Sequence, residues 1–145
     1  METTGTMSDS AEIQFAEILF ERRGSIGLVT LNRPKALNAL TLGMIRLFDP
    51  QLRAWIADPD IKAIVVQSAG EKAFCAGGDV VNLYETGKAA KAGQGDGAAI
   101  RAFFSEEYVL NRLIHTCPKP YVALIDGISM GGGVGLSVHG SHRIV

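Results

Sequence analysis

The sequence predicts an α/β domain, and three observations carry that expectation. Short apolar runs rich in branched residues, KAIVVQS at 62–68 and YVALI at 121–125, read as strands covered on both faces. They alternate with longer stretches whose apolar residues recur at helical spacing. Two of the strand runs lead through glycine-rich turns directly into helices, at 69–79 and at 126–133.

In chain order, Phe15–Arg22 and Ile26–Leu31 are strand-like runs joined by Arg23-Gly24-Ser25, a hairpin signal with glycine where a positive φ is needed. Asn32-Arg33-Pro34-Lys35 breaks the sheet, because proline cannot serve a central ladder. Thr41 is placed to N-cap a helix whose apolar positions are Met44, Ile45, Phe48, Leu52, Trp55 and Ile56. Pro50 lies inside it; an interior proline costs about 3 kcal/mol and removes the bond to the Arg46 carbonyl, so a kink or break is expected there. Asp58-Pro59-Asp60 ends the helix and the strand 62–68 follows. After the turn AGEKAFCAGGD, Asp79 caps a helix containing Val80, Val81, Leu83 and Tyr84. Residues 87–97, GKAAKAGQGDG, hold few bulky side chains and are expected to form a mobile loop, either a plain linker or a cover for a bulky substrate. A helix over 98–115 carries Ile100, Phe103, Phe104, Val109, Leu110, Leu113 and Ile114 on its apolar face. Glu106 and Glu107 fall within it; a paired glutamate on a helix reads as a solvated face, although Glu107 leads the segment YVLNRLI that runs towards the strand at 121–125. From Gly132 a buried helix with Val134, Leu136 and Val138 is expected, and 141–145 begins another strand.

The glycines at 131–133 carry the strongest chemical suggestion. They open a helix whose first amides have no intrahelical partner. At the positive end of the helix dipole, and unobstructed by any Cβ, those N–H groups form a seat for an anionic oxygen. Close packing of a helix on a sheet also asks for glycine, so both readings stand. Gly127-Ile128-Ser129-Met130-Gly131 matches the G-x-S-x-G nucleophile elbow, but that architecture places an acid and then a histidine after the serine, and no Asp or Glu follows Ser129. The spacing of Gly131, Gly133 and Gly135 does not fit the dinucleotide fingerprint, and no suitable Gly-Lys-Ser/Thr exists for a phosphate-binding loop. Two strand-to-helix turns at neighbouring strand ends would place two sets of amides around one crevice, which suits an oxyanion; taken alone, AGGD is equally an ordinary structural loop.

Composition narrows the partners. At 145 residues, with 47% hydrophobic and 20% charged residues, the chain suits one globular domain. A net charge of -1 gives no electrostatic case for nucleic acid or an anionic membrane surface. No run approaches 18 apolar residues, so no membrane span is expected. Residues 1–14 are polar and acidic, lack the features of a signal or transit peptide, and read as a disordered tail before a core over 15–145. Cys75 and Cys117 lack metal-ligand spacing and read as free thiols, with the cytoplasm as the expected compartment and no metal site.

Four blocks, RPKALNALT (33–41), KAFCAGGDV (72–80), EEYVLNRLI (106–114) and KPYVALIDGISMGGGVGLSVHG (119–140), together resemble the crotonase, or enoyl-CoA hydratase/isomerase, superfamily. Within it, the last two blocks resemble the members that hydrolyse 3-hydroxyisobutyryl-CoA in valine breakdown. The resemblance implies the ClpP/crotonase-like fold of repeated ββα units, of which this chain is the N-terminal part. It implies an acyl-CoA thioester as substrate, with coenzyme A belonging to the substrate and no permanently bound cofactor. Its oxyanion hole maps onto the backbone amides of Gly78 and Gly132, and Glu107 onto a substrate-contacting glutamate. The loop at Lys35, Ala36 and Leu37 maps near the nucleotide part of coenzyme A, with Ala76, Asp79 and Gly131 as further substrate-binding positions. Typical hydratases carry an acid/base glutamate two positions after the glycine triplet; here that position is Gly135. The resembling hydrolases draw a glutamate and an aspartate from a segment past Arg143, so the core is expected to be incomplete at its C-terminus and this chain alone inactive. Partners expected are the acyl-CoA, further copies of the chain and a C-terminal half. The alternatives are an enoyl-CoA hydratase or isomerase acting on another acyl-CoA, and a non-catalytic acyl-CoA-binding fragment.

Overall fold

The computed structural model describes residues 16–93 and 97–145; the expected tail and Phe15 lie outside the described residues. Strands β1 (Ile18–Arg23) and β2 (Ile26–Leu31) form the expected hairpin, closed by Gly24 at φ 59° with Arg23 opposite Ile26. Strands β3 (Ala63–Ser68), β5 (Tyr121–Leu124) and β7 (His142–Ile144) continue from β2 in parallel, giving the order β1-β2-β3-β5-β7. Two short strands, β4 (Ala73–Cys75) and β6 (Ile128–Ser129), pair in parallel as a separate ribbon. Among the described residues the α-helices are α1 (Leu42–Ala57), α2 (Val80–Lys91), α3 (Ala98–His115) and α4 (Gly132–Val138). Read in order, β1-β2-α1, β3-β4-α2 and β5-β6-α4 are three ββα units, with α3 inserted before the third.

Helix α1 begins where the sequence places it, with the Met44 N–H donating to the Thr41 hydroxyl at 3.1 Å. Of the kink or break expected at Pro50, the break does not occur, since the helix continues to Ala57. Met44, Ile45, Phe48, Leu52 and Trp55 are all buried, and burial of such side chains contributes about 1.5–3 kcal/mol each. That sum exceeds the roughly 3 kcal/mol of one interior proline. Pro50 and Arg46 are also exposed, so water reaches the carbonyl that loses its partner.

Three further expectations need correction. Residues 87–91 are not loop but the last turns of α2, as their alanines and lysines favour; residues 94–96 lie outside the described residues. Phe104 and Val109 are not on the buried face of α3, being 45% and 52% exposed, because that face is formed by Phe103, Glu107, Leu110 and Ile114. Helix α4 buries Gly132, Gly133, Gly135, Leu136 and Ser137 but leaves Val134 and Val138 exposed. The core joins Val29, Leu31, Ile64 and Val66 of the sheet to Phe48 and Leu52 of α1 and Leu110 and Ile114 of α3. Tyr121, fully buried, donates its hydroxyl proton to the Leu136 carbonyl at 2.8 Å, which fixes α4 on β5. Both cysteines are free thiols, and among the described residues no helix is long and apolar enough to cross a membrane.

Candidate active site

Because β4 and β6 lie side by side, the turns that follow them meet. The first turn is clamped to residues 37–40 by three backbone bonds, Ala76 N–H to the Leu37 carbonyl (3.0 Å), Leu40 N–H to the Gly77 carbonyl (2.7 Å) and Asp79 N–H to the Leu40 carbonyl (2.9 Å). The second turn leans on the first: Met130 N–H donates to the Cys75 carbonyl at 3.0 Å, and a Cβ added at Gly131 would stand 3.6 Å from the Gly77 Cα. Gly77 and Gly131 have φ of 109° and 49°, values open to glycine at little cost. Among the described residues, no backbone carbonyl accepts from the N–H of Gly78 or from that of Gly132, the first residue of α4.

Gly78 and Gly132 line one cavity of about 500 Å³, together with Gly131 and Glu107. Helix α3 crosses this cavity and presents Phe103, Glu107 and Asn111 to it, residues four apart and therefore on one face. Each stands over a glycine. A Cβ at Gly78 would be 3.1 Å from the Phe103 ring, at Gly132 2.8 Å from the Glu107 Oε1, and at Gly135 2.7 Å from the Asn111 Oδ1. The paired glutamates thus divide their duties. Glu106 is on the solvent side, accepts two hydrogen bonds from the Arg46 guanidinium at 2.8 and 2.9 Å, and has its pKa lowered by them. Glu107 is 8% exposed, and burial raises its carboxyl above the usual glutamate range.

Of the residues expected at the site, Gly78, Gly131, Gly132 and Glu107 come together in this cavity. Ala76 is half-buried, does not line the cavity and is tied to Leu37. Asp79 accepts from the Asn82 N–H at 3.0 Å and from the Arg33 guanidinium at 3.1 Å; the Asn82 N–H is the larger cause of its lowered pKa, and Arg33 adds to it. Its carboxylate therefore caps α2 and anchors the turn. Lys35 and Ala36 occupy the exposed 3-10 turn Pro34–Ala36, with Leu37 beside it, and Lys35 lines a separate cleft of about 410 Å³ with residues 69–73. Leu37 and Asn38 adopt the left-handed conformation, at φ 52° and 54°. The Asn38 amide holds that shape by donating to the carbonyls of Ala69 and Ala73, both at 2.9 Å, and accepting from the Arg33 N–H at 2.8 Å. Ser129 is outside the cavity, its hydroxyl buried without a hydrogen-bond partner among the described residues. Phe103, Asn111 and His139 line the cavity without having been singled out for it. The first two have a signal, their spacing of four from Glu107; His139, just past the end of α4, has none.

Residues 26–145 match the enoyl-CoA hydratase/isomerase family. The chain belongs to that family. Over 135 residues it is 58% identical to a rat protein named 3-hydroxyisobutyryl-CoA hydrolase, mitochondrial, covering 93% of this chain and 34% of the relative. Among solved structures of the family, a carnitinyl-CoA dehydratase from Mycobacterium thermoresistibile superposes with a TM-score of 0.81 at 48% identity, over 88% of this chain and 36% of the other. An enoyl-CoA hydratase from Rhodobacter sphaeroides 2.4.1 superposes at 0.83 and 45% identity, over 90% and 37%. The chain thus spans about a third of the length of the curated relatives it matches. The expected cytoplasmic compartment is corrected by the rat relative, which is a mitochondrial enzyme.

Proposed function

We propose that the protein carrying this chain hydrolyses the thioester of 3-hydroxyisobutyryl-CoA in mitochondria, within valine degradation. Similarity to the rat hydrolase supports the substrate, and the Gly135–Asn111 contact is the observation that carries the reaction type. Position 135, where a hydratase's acid/base glutamate would stand, is a glycine that can transfer no proton, and the Asn111 amide lies against it, 2.7 Å from where a Cβ would be. Glu107 is then the only carboxylate lining the cavity among the described residues, which does not suit a hydratase that works with two.

In the proposed step, water attacks the thioester carbon, the carbonyl oxygen takes up negative charge, and collapse breaks the C–S bond to release the acid and the coenzyme A thiol. In this reading the N–H groups of Gly78 and Gly132, from which no backbone carbonyl accepts among the described residues, stabilise that oxygen. They need no reorganisation as the charge forms. Coenzyme A enters only as part of the substrate, and its nucleotide end is assigned to the turn at Lys35, Ala36 and Leu37. Further copies of the chain are proposed as partners, supported by Val80 and Val81, each 73% exposed on α2.

The test is to assay the complete protein for thiol release from 3-hydroxyisobutyryl-CoA and for hydration of a 2-enoyl-CoA. Hydration without thiol release would establish the other reading, which the resemblance to the Rhodobacter sphaeroides hydratase favours. Gly132→Val crowds the oxyanion seat and should lower kcat by at least about 100-fold, the scale of losing one such donor. Full activity in a folded Gly132→Val protein would remove Gly132 from the site.

A further inference from the structure

Leu40 touches both glycine turns, with its backbone at the first and its side chain at the second. Its N–H donates to the Gly77 carbonyl at 2.7 Å, and its carbonyl accepts from the Asp79 N–H at 2.9 Å. The Gly77 carbonyl and the Gly78 N–H belong to one planar trans peptide and point in opposite directions. Holding that carbonyl on Leu40 therefore fixes the direction of the Gly78 N–H. The Leu40 side chain is 1% exposed, and its Cδ2 lies 3.4 Å from where a Cβ at Gly132 would be. One residue thus orients the first amide and packs against the residue that carries the second.

We propose that Leu40 is a positioning residue that sets the spacing between the Gly78 and Gly132 amides. The inference rests on the assignment of those two amides to the substrate oxygen and adds what keeps them matched. Two donors serve one oxygen only when both come within about 2.7–3.1 Å of it, so a small shift at either turn weakens one of them. A side chain without polar atoms holds that spacing without competing for either N–H. Shortening Leu40 to alanine keeps the backbone bonds of the first turn and removes the methyl group that lies against Gly132, leaving the second turn free to settle into the vacated space. The loss falls on the charged oxygen of the transition state, which needs both donors, and little on the bound ground state.

The test measures kcat and KM for thiol release from 3-hydroxyisobutyryl-CoA by the complete protein and by its Leu40→Ala, Leu40→Met and Leu52→Ala variants. Leu52 is also fully buried, on α1, and does not line the cavity, so its truncation reports a loosened core alone. Leu40→Ala should lower kcat by about tenfold or more with KM within about twofold of wild type, the scale of a donor misplaced rather than deleted. Leu40→Met, close to leucine in volume, should recover most of that loss, and Leu52→Ala should keep kcat within about twofold of wild type. If Leu40→Ala does not fold, as judged by thermal melting, Leu40→Val is read in its place and should lower kcat by about threefold or more. Wild-type kcat in the folded truncation, an equal loss in Leu52→Ala, or a methionine variant no better than the truncation overturns the inference and leaves Leu40 an ordinary core residue. Full activity in a folded Gly132→Val protein overturns the assignment of the amides instead, and this inference with it. If the wild type hydrates a 2-enoyl-CoA and releases no thiol, the hydrolase reading fails and the same variants are compared in hydration, where an enolate oxygen makes the same demand on two donors.

Discussion

The two glycine turns present their amides to the same cavity but are held by different means. The second is packed from behind: a Cβ at Gly127 would stand 2.5 Å from the Lys72 carbonyl oxygen, one at Gly133 would strike the Cys75 carbonyl, and most of α4 is buried. The first is held from outside, by the Arg33–Asp79 ion pair and the three backbone bonds to residues 37–40, while α2 leaves Val80, Val81 and Tyr84 largely exposed. An amide placed by close packing keeps its position until the core itself opens. One placed by a few polar links on a thinly packed segment is loosened by removing a single link.

Adding a methyl group to each turn should expose that difference most strongly. Gly133→Ala drives a Cβ into the backbone of Cys75, which has no rotamer to yield. We expect a loss of about 3 kcal/mol or more, at the upper end for overpacking. Gly78→Ala meets the edge of the Phe103 ring at 3.1 and 3.2 Å and the Leu83 side chain at an ordinary 3.7 Å, and the ring has freedom to shift. Its cost should be about 1 kcal/mol. Denaturant unfolding of the two variants measures the gap, and equal losses would dissolve the distinction between the turns.

The polar clamp gives the next largest effect. Asp79→Ala removes the cap of α2 together with the Arg33 partner, at a cost of about 1–2 kcal/mol. Because the Asn82 N–H, with Arg33, lowers the Asp79 pKa in the folded state, its contribution is complete above the ordinary aspartate value of about 3.9. It is lost as pH falls through the lower folded value. The stability difference between wild type and Asp79→Ala should therefore be full at pH 7 and narrow in acid. A difference that stays constant down to pH 2 would show that the carboxylate is not the clamp.

Much of this arrangement is legible in the residues, and what is not has physical reasons. Strands β2, β3 and β5 and helices α1 and α3 follow from apolar periodicity, because burial on a fixed face leaves that trace. The glycine triplet is conspicuous because little else tolerates such close backbone approach. Pro50 misleads because local cost is weighed without the five side chains that hold α1 down. The ribbon of β4 and β6 escapes notice because strands of three and two residues carry no period. Glu106 and Glu107 are alike as letters; only the face of α3 on which each lies makes one an Arg46 partner and the other a buried acid. Asn111 becomes legible only once the face of Glu107 is known, by its spacing of four from it.

Glu107 sharpens the comparison from the cavity side, since it packs against the second turn. Burial raises its pKa, so the folded state holds that proton more tightly than the unfolded chain does. Its contribution is most favourable below the ordinary glutamate value of about 4.3 and is lost as pH rises through the raised folded value. Glu107→Gln should therefore be more stable than wild type at pH 7 and equal to it near pH 4, while the complete enzyme loses activity. Thermal melts at the two pH values check the sign, and a variant destabilised at pH 7 would mean that the charged form has a partner in the cavity.

The smallest effect should come from Ser129, which lies on β6 at the entry to the second turn. Its place within G-x-S-x-G invites a nucleophile reading, but its hydroxyl is buried, without a hydrogen-bond partner among the described residues, and outside the cavity. A serine nucleophile needs a base within hydrogen-bond reach and an open path to the substrate carbonyl, and neither is present at this side chain among the described residues. Ser129→Ala removes a hidden polar group and keeps the rest of the packing, so stability should change by less than about 1 kcal/mol, in either direction. Thiol release by the complete protein should stay within a few-fold of wild type, and a serine-directed fluorophosphonate should leave the protein unlabelled. Stoichiometric labelling at Ser129 would instead make the second turn a nucleophile elbow, and the close packing around its glycines would then serve to hold a strained serine rather than an amide.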